Sequence, residues 1–189
     1  MRTARIALPV VTACAVLVVA CSADDVGGPR SALTSPSSLA GAAHNVGADA
    51  NQQLAAARLA TAKYHDFQQA VADGFVQAPV GCIPGEGIHY RAPDEFPNAS
   101  LDCEFDPADP EVLHYVPKGN GELQLVGVEY LVPRSASCGT LSAPPAGFSG
   151  DADEWELEGG GTLWAVNAWI WQGVPDGVFA FRSDKISCN

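Results

Sequence analysis

The chain has 189 residues with 47% hydrophobic and 17% charged side chains, a composition typical of a globular protein rather than a disordered one. Its formal net charge of −12 at pH 7 excludes binding to nucleic acid, or to an anionic lipid surface, by charge attraction. The length predicts one domain together with segments that lie outside it.

The first 20 residues predict a signal peptide. Arg2 and Arg5 form a basic start, and the apolar run over residues 6–20 is too short to span a bilayer. The run ends in Val18-Val19-Ala20-Cys21, which resembles a bacterial lipobox, where the cysteine receives a diacylglyceryl group. We therefore predict lipidation at Cys21 and an extracytoplasmic protein anchored to the membrane of the bacterial cell envelope. An ordinary cleaved signal peptide of a secreted protein is the alternative.

Residues 21–48 predict a flexible tether that follows the lipidated cysteine. They are rich in Ser, Gly, Ala, Asp and Pro and show no apolar periodicity. Residues 49–189 are then expected to form a single globular domain.

Four cysteines lie in this domain, and an even number in an exported domain indicates disulfide bonds. Three pairings are possible. We favour Cys82–Cys188 and Cys103–Cys138, because Cys103 and Cys138 flank the central strands. A thiolate metal site is disfavoured because the sequence has no CxxC spacing.

One long helix is predicted over residues 50–73, with Asp49 as its N-cap and Gly74 in the position of a C-cap glycine. The run is rich in alanine, which favours helix. A stripe of larger side chains at steps of three and four predicts one buried face, and it consists of Leu54, Ala57, Thr61, Tyr64, Phe67 and Val71.

Strands are predicted after the helix, with much loop between them. The apolar and β-branched runs lie at residues 88–91, 111–117, 123–132, 162–171 and 178–181. One helix followed by about five strands indicates an α+β fold. We expect the N-terminal helix to pack on a curled antiparallel sheet or partial barrel.

Two polar residues interrupt the apolar strands. Strict alternation places Glu129 on the same face as Leu123, Leu125, Gly127 and Leu131. A carboxylate among leucines is costly unless another group pairs with it. Asn167 is the only polar interior position of the strand at residues 162–171. Both exceptions predict side chains that are turned inward to form a site.

Several short motifs together resemble a family of exported bacterial proteins of uncharacterised activity. The resemblance covers nearly the whole domain, and the matching pieces are Ala60-Thr61-Ala62-Lys63-Tyr64-His65, Ala72-Asp73-Gly74-Phe75, Gly81-Cys82, Gly85-x-Gly87-x-His89-Tyr90, Pro110-Glu111-Val112-Leu113-x-Tyr115, Leu125-Val126-Gly127-Val128-Glu129-Tyr130, Ala168-Trp169-Ile170-Trp171 and Gly177-x-Phe179 with Cys188. It implies a shared fold and export, and it implies no established activity.

Two departures from the family pattern affect the expected site. Members often have Met where this chain has Glu86, and His where this chain has Asn167. A His–Glu–His set on adjacent strands resembles a divalent-metal site. The corresponding set here is His89, Glu129 and Asn167, and Asn is the poorer ligand for a transition metal. Glu86 is a candidate substitute, because it lies three residues before His89.

The first functional hypothesis is a binding protein in which His89, Glu129 and Asn167 converge inside the sheet. They would hold a small polar ligand, or a divalent metal ion with His89 and Glu129 as ligands. The aromatic side chains expected at the rim of this pocket are Tyr90, Trp169 and Trp171.

Two alternatives remain open. The first is a structural or interaction protein of the cell envelope, whose inward polar groups form only an internal hydrogen-bond network. The second is a hydrolase-like enzyme that uses Glu129 and His89 as an acid–base pair. The sequence contains no G-x-S-x-G, H-E-x-x-H or P-loop motif to support an enzyme.

Overall fold

The structure, a computed structural model, describes residues 47–93, 101–150 and 153–189. The predicted signal peptide, Cys21 and nearly all of the tether lie outside the described residues. Within the described ranges, no helix is long and apolar enough to cross a membrane.

The N-terminal part is helical but is not one continuous helix. Helix α1 spans Ala48–Thr61, a 3-10 turn spans Ala62–His65, and helix α2 spans Phe67–Ala72. The prediction of a single helix was wrong at Asp66. There the backbone is extended (φ −82°, ψ 102°), and the side chain accepts a hydrogen bond from the amide of Gln68, which makes Asp66 the N-cap of α2.

Two details of the helical region differ from the sequence prediction and one agrees. Gly74 follows α2 with φ +92°, which confirms its expected conformation. The N-cap of α1 is Gly47 rather than Asp49, which lies in the first turn. Val71 is 48% exposed, and Ala70 is buried in its place, because the break at Asp66 changes the face that α2 turns to the core.

Six antiparallel strands form one curled sheet in the order β1-β2-β3-β4-β6-β5. Their bounds are Val76–Ile83 (β1), Gly87–Arg91 (β2), Val112–Pro117 (β3), Leu123–Pro133 (β4), Glu156–Glu158 (β5) and Leu163–Ala168 (β6). The expected α+β fold is therefore confirmed.

The edges of the sheet are where the strand predictions were wrong. Strand β1 contains Pro79, which is tolerated because β1 is an edge strand, and its pairing with β2 is irregular between Gln77 and Cys82. Strand β5 has only three residues. Strand β6 ends at Ala168, three residues before the expected end, and residues 178–181 do not form a strand.

The two faces of the sheet have different coverings. The helices pack on one face over the main core, which includes Leu113, Tyr115, Val128 and Tyr130. The opposite face carries two small apolar clusters, one around Val112, Leu131 and Ala165 and the other around Val126, Trp169 and Ile186. We call this opposite face the site face, because the inward polar side chains lie on it between the two clusters.

A β-bulge in β4 corrects the predicted alternation. His114 pairs with Gly127 while Tyr115 pairs with Leu125, so Val126 is an extra residue in β4. Leu125 therefore lies in the helix-side core, and Val126 lies on the site face with Glu129. The carbonyl of Val126 accepts hydrogen bonds from the amides of Trp171 (3.1 Å) and Gln172 (3.0 Å).

Both disulfides have the pairing that the sequence favoured, Cys82–Cys188 and Cys103–Cys138. The first holds residues 180–188, which we call the C-terminal segment, against the turn between β1 and β2. In that turn Gly85 donates to the carbonyl of Ile186 (3.0 Å) and accepts from the amide of Ser183 (3.0 Å). The C-terminal segment thus covers part of the site face.

Candidate functional site

Three side chains from adjacent strands converge on the site face. His89 on β2 pairs directly with His114 on β3, and Glu129 on β4 lies beside them. Their exposed fractions are 4%, 0% and 2%. The Nε2 atom of His114 lies 3.4 Å from Glu129 Oε2, and His89 Nδ1 lies 3.8 Å from the same oxygen. One nitrogen of each imidazole and one carboxylate oxygen all lie within 4.8 Å of one another.

The tautomer of His114 follows from its hydrogen bonds. Its Nδ1 lies 2.9 Å from the main-chain carbonyl oxygen of Glu86, and a carbonyl can only accept. The proton of the neutral ring is therefore on Nδ1, and Nε2 presents a lone pair to Glu129. Complete burial lowers the pKa of His114 to about 4, against the weaker opposing effect of Glu86, so the ring is neutral at pH 7.

Glu86 lies behind the two histidines and is 1% exposed. Its Oε2 is 3.3 Å from His89 Nε2, and its Oε1 is 2.5 Å from Nε of Arg182, which comes from the C-terminal segment. Burial opposes ionisation of Glu86. The hydrogen bond with His89 and the charges of His89 and Arg182 outweigh burial, so the pKa of Glu86 is lowered.

The pKa of Glu129 is shifted in the opposite direction to that of Glu86. Burial raises its pKa to about 7, His89 and Arg91 oppose the rise, and the carboxylate of Glu86 adds to it. Its Oε1 atom is buried and has no hydrogen-bond partner among the described residues. Glu158 on β5 also has a pKa raised to about 7, first by burial and then by the charge of Glu129. Two carboxyl groups on this face therefore resist ionisation.

Asn167 on β6 pairs directly with Glu129 and is 1% exposed. Its Nδ2 donates to the carbonyl of Phe181 in the C-terminal segment at 2.8 Å, which fixes the orientation of the amide. Its Oδ1 is buried and makes no hydrogen bond within the part of the chain that the structure describes. The Oδ1 atom of Asn167 is thus a buried acceptor beside Glu129, without a hydrogen-bond partner among the described residues.

Two glycines allow the chain to come this close to the site. Gly87 has φ +89°, and a Cβ there would lie 2.5 Å from the carbonyl oxygen of Tyr115. A Cβ on Gly127 would lie 2.7 Å from Cε3 of Trp169. Gly87 therefore lets β2 bring His89 against β3, and Gly127 makes room for Trp169 beside His114.

Four of the six predicted ligand-binding residues meet at this site. His89, Glu129 and Asn167 come together, and the ring of Trp169 borders His114 at 5.2 Å, edge to face. Tyr90 and Trp171 do not border it. Tyr90 follows His89 in β2 and so points to the helix face, where it contacts Phe67 and Tyr115.

Trp171 lies beyond the end of β6, where strand alternation no longer applies. Its Nε1 donates to Thr61 at 3.2 Å, and its ring contacts His65. Sequence reasoning missed His114 as a site residue. The available signal was its place between Val112 and Val116 in an otherwise apolar strand, the same kind of exception as Glu129.

The donor set has a defined chemistry. Two imidazole nitrogens and one carboxylate oxygen are ligands of catalytic zinc sites and of non-haem iron sites. Comparison with protein-family models, with curated proteins and with solved structures finds no match to this chain. The chemistry of the side chains is therefore the basis for the functional proposal, and the family resemblance stays a prediction.

Proposed function

We propose that this protein binds a divalent transition-metal ion, with Zn²⁺ as the best fit, through His89 Nδ1, His114 Nε2 and a carboxylate oxygen of Glu129. The observation that carries the proposal is the contact between His114 Nε2 and Glu129 Oε2 at 3.4 Å. Because the Glu86 carbonyl holds the His114 proton on Nδ1, two electron-pair donors face each other. A proton or a cation between them removes the repulsion of these two groups.

The spacing of the donors suits a small metal ion. Metal–ligand bonds of about 2.1 Å in a tetrahedral arrangement place neighbouring donors about 3.4 Å apart. The two distances to Glu129 Oε2 are 3.4 and 3.8 Å. Three protein ligands leave a fourth position open, and we propose that Asn167 borders it, because its unpartnered Oδ1 lies beside Glu129. A small polar ligand or water would occupy that position.

The competing function is a purely structural one. In it, a protonated Glu129 donates to His114 Nε2, and the cluster is an internal hydrogen-bond network. The 3.4 Å contact fits this arrangement as well. The two functions differ in one respect that can be measured. Only the first binds metal, and metal binding then displaces the proton of Glu129.

Isothermal titration of zinc chloride into the EDTA-stripped protein tests the proposal. We expect one ion bound per chain, and no measurable binding by Glu129→Gln or His114→Gln. His65→Gln is the matched control, because His65 is exposed and lies on the helix side, where its ring contacts Trp171. Negligible heats for both wild type and Glu129→Gln would refute metal binding and leave the structural network.

We also propose that the protein acts outside the cytoplasm, anchored by a lipid on Cys21. The two disulfides support an oxidising compartment, since such bonds persist in exported proteins. Metabolic labelling with a radioactive fatty acid tests the anchor. Label on the wild type and none on Cys21→Ser is the expected result, and label retained by the variant would contradict it.

A further inference from the structure

We infer that Glu86 is a positioning residue that selects which nitrogen of His89 faces the metal, and that Arg182 orients Glu86 for this role. The inference rests on the proposed metal site. Glu86 is not itself one of the three proposed ligands.

Glu86 contacts the outer nitrogen of both histidines through two different groups. Its main-chain carbonyl oxygen lies 2.9 Å from His114 Nδ1, and its carboxylate Oε2 lies 3.3 Å from His89 Nε2. Both groups are hydrogen-bond acceptors and cannot donate to an imidazole nitrogen. The His114 proton is therefore held on Nδ1 by a hydrogen bond, whereas the 3.3 Å contact at His89 Nε2 has the distance of an ion pair and not the geometry of a hydrogen bond. The negative charge of Glu86 beside Nε2 favours the His89 proton there, so the inner nitrogens, His89 Nδ1 and His114 Nε2, carry the free lone pairs.

This arrangement explains why the proposed metal ligands are different nitrogens of the two rings, Nδ1 of His89 and Nε2 of His114. The imidazoles are stacked, with ring centroids 4.3 Å apart and planes inclined by 23°. His89 is approached from Glu86 at Nε2, whereas His114 is approached from the same residue at Nδ1. A carboxylate that holds a ligating histidine in one tautomer and orientation is a recurrent device in metal sites.

Arg182 decides which carboxylate oxygen is left for His89. Its Nε lies 2.5 Å from Glu86 Oε1, and its side chain is 60% exposed whereas that of Glu86 is 2% exposed. The backbone on either side is held by hydrogen bonds between Gly85 and the C-terminal segment. Oε1 forms an ion pair with Arg182, which leaves Oε2 as the oxygen that faces His89.

The substitution Glu86→Gln turns this geometry into a test. An amide NH₂ group facing the N–H donor of Arg182 would bring two donors together, so the amide oxygen takes the place of Oε1 and the NH₂ group faces His89. An NH₂ group donates, so His89 Nε2 must then accept, and the ring proton moves to Nδ1. That proton would block the proposed metal ligand. His114 keeps its tautomer, because the main-chain carbonyl is unchanged.

Long-range ¹H–¹⁵N correlation spectra of the histidine rings, recorded on metal-free protein at pH 8, report the tautomers directly. We expect Nε2–H on His89 and Nδ1–H on His114 in the wild type. In Glu86→Gln we expect Nδ1–H on both rings, together with a 10- to 100-fold loss of zinc affinity. Retention of the His114 signal shows that the variant is folded.

The exposed Arg182 provides a second variant if Glu86→Gln does not fold. Arg182→Gln removes the ion pair that holds the Glu86 side chain in position, so the carboxylate leaves His89 Nε2 in part of the molecules, and we expect a mixed His89 tautomer and a smaller loss of zinc affinity. Lys185→Gln is the matched control, because it removes the same charge from an exposed position of the C-terminal segment and should change neither readout.

The failures of the two proposals are distinguishable. A wild type with the expected tautomers and no zinc binding would refute the metal function alone. A wild type that binds zinc, with unchanged tautomers and affinity in both Glu86→Gln and Arg182→Gln, would overturn the role of Glu86.

Discussion

Replacing Glu129 by Gln is expected to stabilise the metal-free protein at pH 8 by about 3 kcal/mol, although the same change removes zinc binding. Burial raises the pKa of Glu129 from 4.5 to about 7. The folded state therefore keeps a proton over a pH range in which the unfolded chain has lost it. Stability falls as the pH rises through this range, by about 1.4 kcal/mol per pH unit. Gln cannot ionise and avoids the loss.

His114 changes the pH dependence of stability in the opposite direction, because burial lowers its pKa. Burial lowers its pKa from 6.5 to about 4, so between these values only the unfolded chain carries the proton. His114 therefore makes stability rise with pH over the range in which Glu129 makes it fall. Glu158, whose pKa is also raised to about 7, adds to the fall. We therefore expect the wild-type stability to fall between about pH 5 and 6.5, and a flatter profile for Glu129→Gln, which lacks one of the two carboxyl groups with a raised pKa.

Urea denaturation in EDTA, followed by tryptophan fluorescence from pH 5 to pH 8 with disulfides intact, measures both profiles. Glu154→Gln is the control, because Glu154 is exposed and its substitution should leave the wild-type profile unchanged. Equal stabilities of Glu129→Gln and wild type at pH 8 would refute the claim that this carboxylate is held away from water.

Three further predictions concern the metal and the backbone around it. Zinc at 100 times its dissociation constant should stabilise the wild type by about 2.7 kcal/mol in thermal unfolding, with no stabilisation of His114→Gln and full stabilisation of His65→Gln. Zinc affinity should fall about tenfold per pH unit as the pH drops below 7, because a proton then competes for Glu129, and titrations at pH 6 and 8 will measure the slope. A pH-independent affinity would exclude Glu129 as a ligand. Gly87→Ala should destabilise the protein by about 3 kcal/mol or more, since its Cβ would collide with a carbonyl oxygen, whereas Gly121→Ala, at φ +84° with nothing within 4 Å, should lose only about 1 kcal/mol. Equal losses in urea unfolding would show that the backbone at Gly87 can move aside.

Part of this site could be predicted because strands impose a simple rule. A lone polar residue in an apolar strand must be turned inward and paired, and this reasoning found Glu129 and Asn167. Glu86 was different, because it lies in a turn, where alternation predicts nothing. Its burial depends on Arg182 and on the C-terminal segment, a contact between distant parts of the chain that no local pattern contains.

The register of the sheet was the second feature that could not be predicted from the sequence. Alternation along β4 was correct from Gly127 onward and wrong before it, because one extra residue, Val126, shifts the preceding side chains to the other face. The same bulge hides the relation between His114 and Glu129, which only the pairing of β3 with β4 reveals. Pattern alone could identify the inward residues of a strand but not their neighbours across it.

The bond between Cys82 and Cys188 closes a covalent ring, and every proposed ligand lies inside it, as do Glu86 and Arg182. In the chain-entropy view, a loop of this length reduces the conformational freedom of the unfolded chain by about 5 kcal/mol. Once the bond has formed, it limits the distances that the donor groups can reach when the sheet is unfolded. Reduction of this bond would therefore remove a covalent limit on the distances between the proposed ligands in the unfolded chain.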